Sequence, residues 1–182
     1  MTAGGNVSDT ISREIFIAAP VEKVWELISI PGWWINGGTL KLDTVERLSD
    51  DRAVVHHADL GDFLIERLAA EPPRTATYRW LVSGAEVARP VAKADQFVQT
   101  RVTFTLTPEA GGTRLAVAES GFATAAMEEN ARRRAYTDNS EGWEIELDLA
   151  RAYLEAASGE AAPGEAAPGE AAPGEAGPGA SA

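Results

Sequence analysis

The stretch IFIAAPVEKVW, residues 15–25, changes from a strand pattern to a helix pattern at its proline. The β-branched and aromatic run at residues 15–17 favours a strand, which we assign to residues 12–18. Pro20 suits the first turn of a helix, because the N–H that proline lacks would have no partner there. The apolar side chains that follow recur at helical spacing: Val21, Val24, Trp25 and Ile28. The chain therefore opens with a strand that leads directly into an amphipathic helix, which Pro31-Gly32 ends.

A long series of strands follows, from Thr39 to Gly121. The predicted strands are residues 40–45, 53–58, 63–69, 75–82, 97–107 and 113–120. Gly61-Asp62 and Gly111-Gly112 are predicted turns, and residues 84–95 form a longer loop. Connections this short favour antiparallel pairing. The strands therefore predict one antiparallel sheet, in which 97–107 and 113–120 form the clearest hairpin.

The chain then becomes helical. Residues 123–136 predict one helix, or a helix broken into turns, and Asp138 with Glu141 has the spacing of a capping box that would start a final helix. Its apolar stripe is Trp143, Leu147, Ala150 and Leu154. A sheet of this kind needs a cover for one face, and this helix is the only predicted element long enough. The fold class is therefore α+β.

The composition divides the chain into three parts. We predict a disordered N-terminus at residues 1–10, one domain at 11–157, and a disordered tail at 158–182. In the tail the sequence GEAAP recurs without any aromatic or β-branched side chain, so it buries too little to offset the loss of chain entropy. Proline at every fifth position also stops helix propagation.

Charge and residue usage exclude several classes of protein. The chain has a formal net charge of −12, which repels phosphate backbones and anionic lipid headgroups, so neither nucleic acid nor a membrane surface is an expected partner. It has no cysteine, which excludes disulfides and thiolate sites and fits the cytosol. No secretory signal and no apolar run of transmembrane length is visible. We expect a cytoplasmic protein that uses no cofactor.

Three stretches together resemble a known family. Residues 15–25, the hairpin at 104–122, and Gly142-Trp143 opening a final helix that ends near residue 155 are similar to START-like (SRPBCC) domains. Within these they resemble the branch named after the activator of the Hsp90 ATPase. The resemblance covers residues 11–155 and implies a helix-grip fold, in which a curved antiparallel sheet wraps a long C-terminal helix with a ligand cavity between them. The eukaryotic co-chaperone has an additional N-terminal domain, which this sequence does not show.

The two histidines, His56 and His57, are adjacent. Neighbouring residues on a strand point to opposite faces, so they are not expected to act as one catalytic or metal-binding pair. Either one of them faces the cavity and acts as an acid or base, or both are ordinary surface or hydrogen-bonded histidines. The sequence contains no metal-ligand spacing, nucleophile elbow or phosphate-binding glycine loop. We therefore predict no catalytic residue and no metal site.

Other candidates interrupt apolar patterns. Glu66, Arg79, Arg101 and Glu119 lie on strands, where they either orient a ligand or form cross-strand pairs on the solvent face. Arg79 alternates with Tyr78 and Trp80, so it faces away from those rings. Trp33 and Trp34 adjoin a Pro-Gly break and either gate the cavity or simply pack, whereas Trp25 and Trp143 are expected in the core. The predicted ligand-binding set is Trp33, Trp34, His57, Glu66, Arg79, Trp80, Arg101 and Glu119.

These observations support three hypotheses about function. The first is a protein that binds a small apolar or amphipathic molecule in a cavity, without covalent chemistry. The second is an enzyme of the polyketide cyclase or hydrolase type that uses a cavity carboxylate or histidine. The third is a co-chaperone-like module that acts through its surface. The scarcity of convergent titratable residues favours the first, and a protein partner is not indicated.

Overall fold

The computed structural model describes residues 9–81, 86–92, 99–125 and 128–160. Its elements, in chain order, are β1 (Thr10–Ile17), α1 (Val21–Ile28), β2 (Val45–Arg47), β3 (Arg52–His57), β4 (Gly61–Glu71), β5 (Thr75–Leu81), β6 (Arg101–Glu109), β7 (Gly112–Ser120) and α2 (Glu129–Glu160). The strands form one antiparallel sheet in the order β1-β7-β6-β5-β4-β3-β2. The predicted α+β class, with a curved sheet and a long C-terminal helix, is confirmed.

The first and the last strand of the chain are neighbours at one edge of the sheet. β1 pairs with β7, from Thr10 opposite Ser120 to Ile17 opposite Thr113, so the first strand lies beside the last one. α2 contacts β1, and α1 contacts β6 and β7. The helices and the inner face of the sheet therefore enclose one hydrophobic core. No helix among the described residues is both long and apolar enough to cross a membrane.

The hairpin of β6 and β7 has the predicted alternation. Val102 lies opposite Glu119, and Leu106 lies opposite Leu115. The buried side chains of β7 are Thr113, Leu115, Val117 and Glu119. Because successive side chains of a strand point to opposite faces, Glu119 shares the inner face with the apolar residues of its own strand. One carboxyl group is thereby placed inside the core.

The long helix differs from its prediction. It does not begin at Asp138; α2 begins at Glu129 and runs without a break to Glu160. Arg133 Nη2 pairs with Glu129 Oε1 over 2.5 Å, a favourable i,i+4 contact. The hydroxyl of Thr137 donates a hydrogen bond to the carbonyl oxygen of Arg133 at 3.1 Å, so this residue is accommodated inside the helix and does not cap it.

The loop between α1 and β2 also differs, because residues 40–44 are not in a strand. The Asn36 side chain accepts a hydrogen bond from the backbone N–H of Lys41 at 3.1 Å and closes the segment on itself. Gly32 has a φ of 81°, and a Cβ there would lie 2.4 Å from Val55 Cγ2. Only glycine therefore allows this loop to lie so close to β3.

Smaller boundaries also shift. The turn predicted at Gly61-Asp62 is not a turn, since both residues belong to β4. The strand predicted from Phe97 begins at Arg101, and residues 93–98 lie outside the described residues. So do residues 1–8, residues 84–85 and 93–95 of the predicted loop at 84–95, and the repeats beyond Glu160. The three-part division of the chain stays a prediction, and α2 ends within the first repeat.

Candidate functional site

A cavity of about 160 Å³ lies between the inner face of the sheet and α2. Its aromatic lining consists of Trp34, Phe63, Trp80 and Trp143. Its polar lining consists of Asn36, His57, Glu119, Asp138, Asn139 and Glu146. The site thus combines ring surfaces with several titratable groups, and it receives residues from the loop after α1, from the sheet and from α2.

Aromatic rings fill much of the remaining space between sheet and helix. The ring of Trp34 is central: its centroid lies 5.3 Å from those of Tyr78 and Phe104, 5.9 Å from Trp80 and 6.1 Å from Trp143. These rings are inclined to one another, as aromatic pairs prefer. The cavity is consequently small. A cavity of about 150 Å³ holds a molecule the size of benzene, which sets the scale of any guest.

The carboxyl group of Glu119 is wholly buried. Its Oε1 accepts hydrogen bonds from the Thr100 hydroxyl and from Asn139 Nδ2, the latter at 2.9 Å. Its Oε2 accepts one from Trp143 Nε1 at 2.6 Å. Burial raises the pKa of Glu119, and the three hydrogen bonds oppose that rise.

A second carboxyl group, that of Glu146, lies on the same face of α2 as Asn139 and Trp143, because these positions are spaced by four and three residues. Glu146 Oε2 accepts a hydrogen bond from Asn36 Nδ2 at 2.7 Å. Burial raises the pKa of Glu146 to about 7, although the hydrogen bonds from Asn36 lower it in part. This group therefore changes charge near neutral pH.

His57 lines the cavity, and its backbone neighbours define its tautomer. Its Nδ1 accepts hydrogen bonds from the backbone N–H groups of Asp59 and Leu60, both at 3.2 Å. In the neutral ring the proton therefore resides on Nε2, assigned from these hydrogen bonds. His56, the neighbouring residue, instead pairs with Glu46 and Asp62.

Two cavity-lining tryptophans carry buried N–H groups that find no acceptor within the described structure. The Nε1 atoms of Trp34 and Trp80 make no hydrogen bond to any described residue, and the same holds for Trp33 in the adjacent core. A buried donor left without a partner costs roughly 1–3 kcal/mol.

The structure brings together half of the predicted ligand-binding residues. Trp34, His57, Trp80 and Glu119 line the cavity. Trp33 does not: it is wholly buried and packs against Phe104, with ring centroids 5.3 Å apart. Its position corresponds to the packing alternative, since the loop turns its ring into the core.

Three other predicted residues lie away from the cavity and correct the sequence interpretation. Arg79 is opposite Glu66 in the pairing of β4 with β5, and the two side chains form an ion pair. Arg79 alternates with Tyr78 and Trp80, so it points to the other face of the sheet. Arg101 pairs with Arg79 in the register of β5 and β6, and it is exposed. These side chains belong to the outer face.

The sequence interpretation missed the contribution of α2 to the site. Asp138, Asn139 and Glu146 line the cavity, and Trp143, expected only as a core residue, also donates to Glu119. The available signal was the spacing of Asn139, Trp143 and Glu146, which places polar groups within the buried stripe of a helix. No group of three or more metal-ligating side chains is arranged to hold a metal ion within the described ranges.

A single antiparallel sheet covered by one long C-terminal helix, with a cavity between them, defines the helix-grip class of START-like (SRPBCC) domains. The family described as Activator of Hsp90 ATPase homolog 1-like protein matches residues 18–155. The chain belongs to this family. The expected resemblance is thereby confirmed over nearly the whole domain. No curated protein matches the chain significantly.

Solved structures share the fold. A crystal structure of a Mesorhizobium loti protein is 27% identical with a TM-score of 0.56, and the match covers 81% of this chain and 97% of that one. The Aha1 dimer from Colwellia psychrerythraea is 15% identical with a TM-score of 0.55, covering 80% and 96%. DynU16, from the dynemicin biosynthetic locus, is 21% identical with a TM-score of 0.55, covering 82% and 48%. The chain thus spans about half of DynU16.

Proposed function

We propose that this protein binds a small, largely apolar molecule in the cavity between the sheet and α2, without covalent chemistry. The observation that carries the proposal is the cavity itself, about 160 Å³ in volume and lined by four aromatic side chains. Mostly apolar walls with a few convergent polar groups are typical of small-molecule sites. The volume accommodates a group about the size of a substituted benzene.

The polar groups support the same proposal. Asn36, Asn139 and Glu146 line the cavity and can hydrogen-bond to a guest, and the carboxyl group of Glu146 is an acceptor when ionised. A guest that carries one polar group on an apolar body would satisfy several of them. Membership of the family fits a cavity-binding protein.

Gly142 provides a direct test. It lines the cavity, and a Cβ at this position would meet nothing within 4 Å. In Gly142→Leu the new side chain would enter the cavity, and the helix should not be weakened, because leucine has the higher helix propensity. Gly142→Ala is the matched control: it makes the same change in helix propensity but leaves most of the volume.

Binding would be measured by titration with benzyl alcohol, followed through tryptophan fluorescence, and by native mass spectrometry of freshly purified protein. We expect a fluorescence change in the parent protein and in Gly142→Ala, and none in Gly142→Leu. A folded Gly142→Leu protein that binds as well as the parent would refute the cavity as the site. Failure of the parent protein to bind either the probe or a retained molecule would refute the function.

Glu146 supports a second candidate, an enzyme of the cyclase or hydrolase type. Its pKa of about 7 is the value that suits a general acid or base at neutral pH. The two functions are distinguished by incubating the protein with the molecule that it retains on purification. A binder returns that molecule unchanged. An enzyme converts it, and Glu146→Gln abolishes the conversion while binding persists.

A further inference from the structure

The titratable side chains described on the cavity wall are mostly acidic. Three carboxyl groups line it, from Glu119, Asp138 and Glu146, and His57 is the other titratable side chain. No lysine or arginine lies among the described lining residues. An anionic guest would meet repulsion here, whereas a cation would meet attraction that is strengthened by the apolar surroundings.

Two carboxyl groups among the described residues are fully buried, and they differ in their partners. Asp62 receives Arg89 Nη2 at 2.8 Å and His56 Nδ1 at 3.1 Å. Glu119 receives only neutral donors, from Thr100, Asn139 and Trp143. Buried carboxylates are normally paired with a cation. Within the described structure Glu119 has the hydrogen bonds of a carboxylate but no counter-charge.

The aromatic lining also suits a cation. The rings of Trp34 and Trp80 are inclined by 70° at a centroid separation of 5.9 Å, and those of Phe63 and Trp80 by 80° at 5.6 Å. Inclined rings present both faces and edges to the space they border, and the face of an aromatic ring attracts cations, most strongly for tryptophan. A charged nitrogen near such faces is stabilised even where water is excluded.

We propose that the guest of this cavity is a small organic ammonium ion, with its charged nitrogen at Glu146, its charge also acting on the buried Glu119, and its apolar body among Trp34, Trp80 and Trp143. This inference rests on the proposed function and specifies its ligand class. The guest supplies a counter-charge that none of the described residues gives to Glu119. Burial raises the pKa of both glutamates, and an ammonium ion beside them would lower it again.

Three probes of nearly equal size separate charge from shape: benzylammonium, benzyl alcohol and benzoate. Their binding would be measured by calorimetry and tryptophan fluorescence at pH 7.5. We expect benzylammonium to bind at least about tenfold more tightly than benzyl alcohol, a difference of about 1.4 kcal/mol, and benzoate not to bind. If benzyl alcohol or benzoate binds as tightly as benzylammonium, the cation proposal is wrong and cavity binding stands. If none binds, both proposals fall.

Variants that each remove one carboxylate charge show where the charged nitrogen of benzylammonium binds. Glu146→Gln should weaken the binding of benzylammonium by about tenfold and that of benzyl alcohol by clearly less, because only the ammonium ion loses a charge interaction. Glu141→Gln makes the same chemical change at an exposed position of α2 and should alter neither. Glu119→Gln disturbs a buried hydrogen-bond network, so Asp138→Asn serves as the second cavity variant. If Glu146→Gln lowers the affinity for benzylammonium and for benzyl alcohol equally, the contact of Glu146 is not specific for charge.

Discussion

The indole Nε1 of Trp143 donates a hydrogen bond to Oε2 of Glu119 over 2.6 Å, and this contact joins the C-terminal helix to the last strand. Both side chains are buried, with exposures of 4% for Trp143 and 0% for Glu119. The contact belongs to the core and to the cavity wall at once. The group that we assign to ligand binding therefore also helps to hold the sheet and α2 together.

Replacing Trp143 with phenylalanine should lower the free energy of unfolding by roughly 1–3 kcal/mol. The substitution keeps an aromatic ring but leaves a buried carboxyl oxygen without its donor. It should also raise the pKa of Glu119 further, because the hydrogen bond from Trp143 lowers it. Urea denaturation at neutral pH measures the change in stability.

The double variant Trp143→Phe with Glu119→Gln is the control. If the two residues interact directly, its loss of stability is smaller than the sum of the single losses. Strict additivity would show that the hydrogen bond contributes nothing.

The stability of the protein should depend on pH through Glu146. Its pKa in the folded state, about 7, is higher than the ordinary value of 4.5, so the folded state holds the proton more tightly. The contribution is fully present below pH 4.5 and is lost as pH rises through 7. Each pKa unit corresponds to about 1.4 kcal/mol. After allowance for the partial exposure of the group, we expect a loss on the order of 2 kcal/mol over this range.

Glu146→Gln should remove that part of the pH dependence and make the protein more stable than the parent at pH 8. The nearby titratable groups, His57, Glu119 and Asp138, remain in the variant, so the difference between the two profiles isolates Glu146. Thermal unfolding from pH 4.5 to 8.5 measures both profiles. Parallel curves would mean that this carboxyl group titrates as it does in the unfolded chain.

The fold could be predicted from the sequence wherever a local pattern decides it. Alternation at residues 102–106 and 113–119 specifies the hairpin, and Pro20 followed by an apolar stripe specifies α1. The predictions failed where a polar side chain is compatible with two different local structures. Asp138 has the spacing of a capping residue but lies inside α2, and Asn36 closes a loop where a strand was expected.

The site could be predicted only in part, because its contacts connect distant parts of the chain. Glu119 was found since it interrupts an apolar alternation. Glu146 was missed because on a helix next to Leu147 it resembles an ordinary solvent-facing residue, and its partner Asn36 is separated from it by 110 positions. No local pattern reports such a pair. The alternation of side chains along β5 also does not tell which of its faces is the inner one, so Arg79 and Trp80 both remained candidates.

Arg79 and Glu66 provide a test of which face is functional. Their ion pair lies across β4 and β5, with Arg79 about half exposed, and exposed pairs contribute less than about 1 kcal/mol. We therefore expect Arg79→Gln and Glu66→Gln to change stability by no more than this and to leave the affinity for benzyl alcohol and benzylammonium unchanged. Fluorescence titration checks the second point. A loss of binding in a stable Arg79→Gln protein would place the functional surface on the outer face.

His56 should titrate above its ordinary pKa of 6.5. Its Nδ1 lies 3.1 Å from Asp62, its Nε2 lies 3.0 Å from Glu46, and hydrogen bonds to these carboxylates, Asp62 first, raise the pKa of His56. Burial would raise the pKa of Asp62, but hydrogen bonds from His56 and Arg89 outweigh it and keep this carboxyl group ionised. Protonated His56 thus stabilises the fold below pH 6.5, and the contribution disappears as pH rises through its folded-state pKa.

Proton NMR of the imidazole resonances measures this titration directly. Glu46→Gln removes the exposed partner and should lower the pKa of His56 modestly, whereas Asp62→Asn removes the buried partner and should lower it more, because less water screens the buried pair. His56→Gln supplies the assignment, since the resonance that disappears belongs to His56. An unchanged pKa in both carboxylate variants would show that neither pair forms in solution. A larger effect from Glu46→Gln than from Asp62→Asn would show that the exposed pair dominates.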